Sequence, residues 1–168
     1  MTRLRATVMY LLAWIFQMTL AGIISINNVG PNLILCLTVV VVFVFDDGWK
    51  IAPFALIAAL LLDICTGDYI GVASLSLTFT MMLAYFARRN LNTQEFLPMA
   101  VTGACCTLLY NVVYWLIMKI AGDPMTLLFV LKYQVFYIIY NVIIIYFLFR
   151  YYDGIRIKRE LEEDEVDI

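Results

Sequence analysis

Residues 29–45 read Val-Gly-Pro-Asn-Leu-Ile-Leu-Cys-Leu-Thr-Val-Val-Val-Val-Phe-Val-Phe, and Asp46-Asp47-Gly48 breaks the run before a second apolar block from Trp49 to Cys65. Between Val29 and Leu62 the only charged residues are Asp46, Asp47 and Lys50. A helix needs about 20 apolar residues to cross roughly 30 Å of hydrocarbon, so both blocks sit near the minimum. Two readings follow: a pair of short spanning helices joined by a tight polar turn, or a re-entrant hairpin that enters and leaves on one side. Pro31-Asn32 opens the first of the two helices at its outer end, where a proline removes no helical hydrogen bond.

Four further apolar blocks flank this pair. The six expected spans cover about 4–24, 29–45, 49–65, 69–87, 96–120 and 125–149. The first follows Arg3 and Arg5 and has the outline of a signal peptide, but its core is long and the chain returns at once to apolar sequence. The expected organisation is one polytopic transmembrane domain over 1–150 and a charged cytoplasmic tail over 151–168. Composition supports this: 64% of the 168 residues are hydrophobic and 14% charged, and the mean hydropathy is +0.92. A soluble domain is about half apolar and a quarter charged, so the excess must face lipid.

Charge orients the set. With both termini cytoplasmic, the inner positions hold Arg3, Arg5, Lys50, Arg88, Arg89, Arg150, Arg156, Lys158 and Arg159, and the outer side keeps Lys119 and Lys132. Basic residues in short loops favour the cytoplasmic side, which selects an even number of spans. In the tail, Arg156/Glu160, Lys158/Glu162 and Arg159/Glu163 stand four apart. That spacing allows helix six to continue a few turns into the cytoplasm, either as a solvated, fraying end or as a docking strip.

Ionisable residues inside a span are costly and mark candidate sites. Asp63 lies two residues before the end of the third block. With a rise of about 1.5 Å per residue, Asp63, Asn111 and Lys132 all fall in the outer third. Two readings stand. Asp63 and Lys132 form a buried pair beside Asn111, or Asp63 caps the turn that follows it while Lys132 snorkels outward. Gly67 and Gly71 flank the outer turn between helices three and four, where glycine permits positive φ or close approach. Tyr133, Tyr137, Tyr140 and Asn141 on helix six, and Tyr110, Asn111 and Tyr114 on helix five, form stripes expected to be packing faces. Ala55 and Ala59 on helix three allow close helix contact.

No catalytic group emerges. Histidine is absent, which removes the usual base for a nucleophilic serine or cysteine. An intramembrane aspartyl protease needs two facing aspartates, and Asp63 has no second. Cys36, Cys65, Cys105 and Cys106 lack metal-ligand spacing and are expected to pack between helices. No cofactor and no metal is expected, and no basic patch is interleaved with stacking aromatics as a nucleic-acid surface would require.

Two stretches together resemble the rod shape-determining protein MreD family: Pro31-Asn32-Leu33-Ile34-Leu35, and Leu60-Leu61-Leu62-Asp63-Ile64 followed by Gly67 and Gly71-Val72-Ala73-Ser74-Leu75. The resemblance covers the whole chain in size and layout, with about forty residues carrying motif. It implies a non-enzymatic component of the bacterial elongation machinery in the inner membrane, beside MreC, the MreB filament, the RodA glycosyltransferase and an elongation-specific penicillin-binding protein. It also implies an all-α fold similar to the substrate-binding (S) subunits of energy-coupling-factor (ECF) vitamin transporters. Such a subunit is the rival expectation. Those subunits typically carry small residues four apart on helix one; here Ala13 is followed four later by Gln17 and Ala21 by Ser25, so only the second pair is roughly suitable.

Overall fold

A computed structural model describes residues 3–25, 29–45, 48–66, 69–92, 95–124 and 126–166. Among them are six α-helices and no strand. These are α1 (Arg3–Ile24), α2 (Leu33–Val44), α3 (Ala52–Thr66), α4 (Val72–Asn90), α5 (Phe96–Ile120) and α6 (Leu127–Val166), with a 3-10 turn at Gly48–Ile51 before α3. Gly67 lies outside the described residues.

The apolar blocks set where the helices fall, and local chemistry sets where they end. The second block is trimmed most. Asn32 has extended backbone and its Oδ1 accepts a 3.1 Å bond from the Leu35 N–H, so α2 begins only at Leu33. Gly71, with φ +100°, stands immediately before α4 in a conformation that side-chain-bearing residues rarely adopt. At the other end, α6 runs through Arg150 without a break to Val166.

α2 organises the bundle. Its sequence is apolar on every face, and every residue from Ile34 to Val44 is buried, as expected of a helix with no polar stripe. It packs against α1, α3, α4, α5 and α6. The outer helices follow one another around it, α1 beside α3, α3 beside α4, α4 beside α5 and α5 beside α6. α1 and α6 meet through two tyrosines: Tyr140 donates to the Ile24 carbonyl at 3.3 Å, and Tyr152 donates to the Met9 sulfur at 3.1 Å.

Small residues allow the close approach. Ala55 and Ala59 are fully buried on α3. A Cβ on Gly103 of α5 would lie 2.4 Å from Ile145 Cδ1 of α6, so glycine lets these two helices close up. Cys36 and Cys106 are buried between helices, bonded at 3.6 Å to the carbonyls of Asn141 and Thr80, whereas Cys65 and Cys105 are exposed rather than packed.

The outer surface is strongly apolar. Ile57 on α3, Phe86 on α4, Leu97 and Ile120 on α5, and Leu128 and Phe147 on α6 are all more than half exposed. Among the described residues, two helices are long and apolar enough to cross a membrane: Phe96–Ile120, and Val130–Gly154 within α6. α2 and α3, with 12 and 15 residues, are shorter than a crossing helix.

The buried α2 ends in carbonyls with no intrahelical partner. Arg88 of α4, placed by the sequence among the loop charges, turns inward to meet them. Its Nη1 donates at 2.7 Å to the Val42 carbonyl and also to the Phe45 carbonyl, where a cation favours the negative end of the helix dipole. Arg88→Ala should therefore lower stability by about 1–3 kcal/mol through unsatisfied carbonyls. Arg89→Ala, at an exposed neighbour, should stay within about 0.5 kcal/mol. Thermal unfolding in detergent micelles measures both.

Candidate functional site

The N-terminal end of α2 stops inside the bundle, and the space it leaves is a cavity of about 590 Å³. Its wall takes Gln17 and Ser25 from α1 and its end, Pro31 and Asn32 from the entry to α2, and Asp63 from α3. Tyr110, Asn111 and Tyr114 come from α5, and Tyr137 and Asn141 from α6. Leu35, Leu62 and Ala73 supply apolar patches. Such a volume lies within the range of small-molecule pockets, about 300–1,000 Å³.

Three side chains settle the first turn of α2, whose N–H groups lack helical acceptors. Gln17 Oε1 accepts from the Leu33 N–H at 2.6 Å, and its Nε2 donates to the Pro31 carbonyl at 3.0 Å. Asn32 Oδ1 takes the Leu35 N–H. Asn141, 1% exposed, accepts from the Asn32 N–H at 2.9 Å and donates to Thr107 Oγ1 at 3.0 Å. Asn111 Nδ2 donates at 2.9 Å to Gln134 Oε1, while Gln134 Nε2, on a residue 5% exposed, has no acceptor among the described residues.

Asp63 performs the same service for α4. One carboxylate oxygen accepts from the Ala73 N–H at 2.9 Å, and the other from the Gly71 and Ser74 N–H groups at 3.1 and 3.2 Å. The residue is 4% exposed. A carboxylate at a helix N-terminus satisfies open donors and suits the dipole, so its charge is balanced without a cation.

Of the two readings of Asp63, the pair with Lys132 beside Asn111 is therefore not assembled. Lys132 is exposed, with its ammonium 5.6 Å from the Tyr133 ring centroid, and Asp63 is bonded to backbone instead. A rise per residue compares levels along a helix and does not contain the direction each residue faces around α2. Pro31, Asn32, Asp63 and Asn111 do share the cavity, and Gly71 closes the turn that Asp63 caps. The stripe residues Tyr110, Tyr114 and Tyr137 stand on the cavity wall rather than only in packing faces. Gln17, Gln134 and Asn141 were not singled out as site residues. The signal available for them was an uncharged amide inside an otherwise apolar block.

Among the described residues, side-chain amides and phenols line the cavity with one carboxylate, Asp63, whose two oxygens both accept backbone hydrogen bonds, and no lysine or arginine lines it. Among the described residues no cluster of His, Cys, Asp and Glu could hold a metal ion. The chain matches no protein-family model, no curated protein and no solved structure.

If Asp63 acts as the α4 cap, Asp63→Asn should destabilise by roughly 1–3 kcal/mol, the range for an impaired charged hydrogen-bond acceptor. Lys132→Met should change stability by less than about 0.5 kcal/mol. The exchange Asp63→Lys with Lys132→Asp should recover none of the loss. Recovery in thermal unfolding would reinstate the ion pair.

Proposed function

We propose that the chain is a six-span protein of the bacterial inner membrane, with both termini in the cytoplasm. The apolar outer surface supports this, because soluble monomers rarely expose large contiguous apolar patches. So does the excess of basic residues on one side. The short α2 is compatible with a full crossing. Twelve helical residues rise about 18 Å, and the four non-helical residues 29–32 add up to about 13 Å, near the thickness of the hydrocarbon core. Non-helical backbone at that depth is tolerated where it is buried in protein or lines a cavity, and here it does both.

Within that membrane the chain serves as a non-enzymatic scaffold of cell-wall elongation, working beside MreC, the MreB filament, RodA and an elongation-specific penicillin-binding protein. The observation that carries this reading is the use made of Asp63. The stretch that resembles the MreD family, Leu60 to Leu75, closes into one unit through the bonds from Asp63 to Gly71, Ala73 and Ser74. The residue most suggestive of chemistry in that stretch thus holds two helices together. A second reading, a substrate-binding subunit of an ECF-type vitamin transporter, is favoured by the cavity at the end of α2.

Depletion of the protein in its own cells separates the two. The scaffold reading predicts round, swollen cells in rich medium and co-purification with MreC. A nutrient requirement in cells of normal shape would favour the transporter subunit. Topology has its own check: on a cysteine-free background, Asp123→Cys should label from outside intact cells, and Arg89→Cys and Glu163→Cys should not.

A further inference from the structure

Beyond the scaffold role, a second space lies beside the cavity. Between α1 and α6 lies an apolar seam of about 220 Å³, walled by Met9, Ala13 and Phe16 on one side and Ile144 and Leu148 on the other, with Leu33 and Leu37 of α2 as its floor. Phe16 and Leu33 in the seam are chain neighbours of Gln17 and Asn32 in the cavity. On α6 the positions Tyr137, Asn141, Ile144, Leu148 and Tyr152 follow helical spacing along one face. They change from Tyr137 and Asn141, in the cavity, to Ile144 and Leu148, in the seam, which Tyr152 ends. Tyr140 and Tyr152 tie α1 to α6 at two levels, through Ile24 and Met9.

We infer that cavity and seam form one site for a membrane amphiphile, an uncharged glycosyl lipid with its sugar among the amides and tyrosines and one acyl chain along the α1–α6 seam. This rests on the membrane reading but not on the elongation partners.

The chemistry selects the headgroup. A phosphate would call for lysine or arginine, and neither lines the cavity among the described residues. An amide carries two N–H donors and two acceptor lone pairs. Gln17 and Asn141 each use one donor and one acceptor on the protein, leaving capacity for both hydrogen-bonding roles of a sugar hydroxyl. Tyrosine rings offer an apolar face with a polar tip. The seam selects the tail, because a wall of methionine, alanine, phenylalanine, isoleucine and leucine offers dispersion contacts. A free sugar would use the cavity and leave the seam unused.

The test uses the full chain in phosphatidylcholine nanodiscs containing equal amounts of monoglucosyl diacylglycerol and phosphatidylglycerol, with lipids retained after release counted by native mass spectrometry. The wild type should keep one glycolipid, enriched at least about tenfold over phosphatidylglycerol. Ala13→Phe, which fills the seam, should abolish that enrichment while the melting temperature holds. If that variant does not fold, Leu148→Trp blocks the opposite wall. Equal retention of both lipids, or unchanged enrichment in a folded seam-blocked variant, would overturn the site. Methyl glucoside competing as well as octyl glucoside would also overturn it, since the tail would then contribute nothing. Absence of glycolipid enrichment in the wild type, together with round cells on depletion, would refute this site while leaving the scaffold reading intact.

Discussion

A buried helix must have its terminal N–H and C=O groups satisfied, and most of this structure follows from meeting that requirement for α2. The helix has only 12 residues, and every one from Ile34 to Val44 is buried, so its ends are less open to water than those of a surface helix. Its sequence supplies one cap, Asn32. The remainder must come from other helices, and it does: Gln17 from α1 and Asn141 from α6 at the start, Arg88 from α4 at the finish. Each of these residues is polar in an apolar setting, where an unsatisfied group costs most. The caps therefore fix how α1, α4 and α6 are disposed around the centre as well as stabilising α2.

The same solution recurs at α4. Gly71 turns the chain with positive φ, and Asp63 reaches back from α3 to the first N–H groups. A helix cap delivered from a neighbouring helix joins two elements at one point and leaves no free charge behind. The cavity is the counterpart of this economy. Because α2 starts deep in the bundle, the outer helices extend past it, and the space is lined by the amides and tyrosines that meet its end. A structural need thus produces a pocket lined by polar side chains.

The helices were legible in the sequence because apolar blocks and polar breaks are local features. Asn32 as the opening of α2 was legible too, since proline followed by an amide has a local meaning. The central position of α2 was not. A run of Leu and Val reads alike whether it faces lipid or protein, and only the packing of five other helices distinguishes them. The partners of the polar residues were hidden for a related reason. Asn32 and Asn141 are 109 positions apart, and a rise per residue gives their level but not the direction they face. Lys132 shows the consequence, exposed beside the Tyr133 ring rather than paired with Asp63. Arg88 was read through its charge alone, although its position beside the end of α2 gave it hydrogen-bonding work.

Hydrogen exchange at the first turn of α2 tests this account most directly. In an ordinary helix the opening N–H groups have no intrahelical acceptor and exchange readily. Here the amides of Asn32, Leu33 and Leu35 are bonded to Asn141, Gln17 and Asn32. In nanodiscs they should be protected as strongly as the middle of α2. Exchange of those three amides at the rate of an open loop, with the middle of α2 still protected, would contradict the capping of a helix that ends inside the bundle.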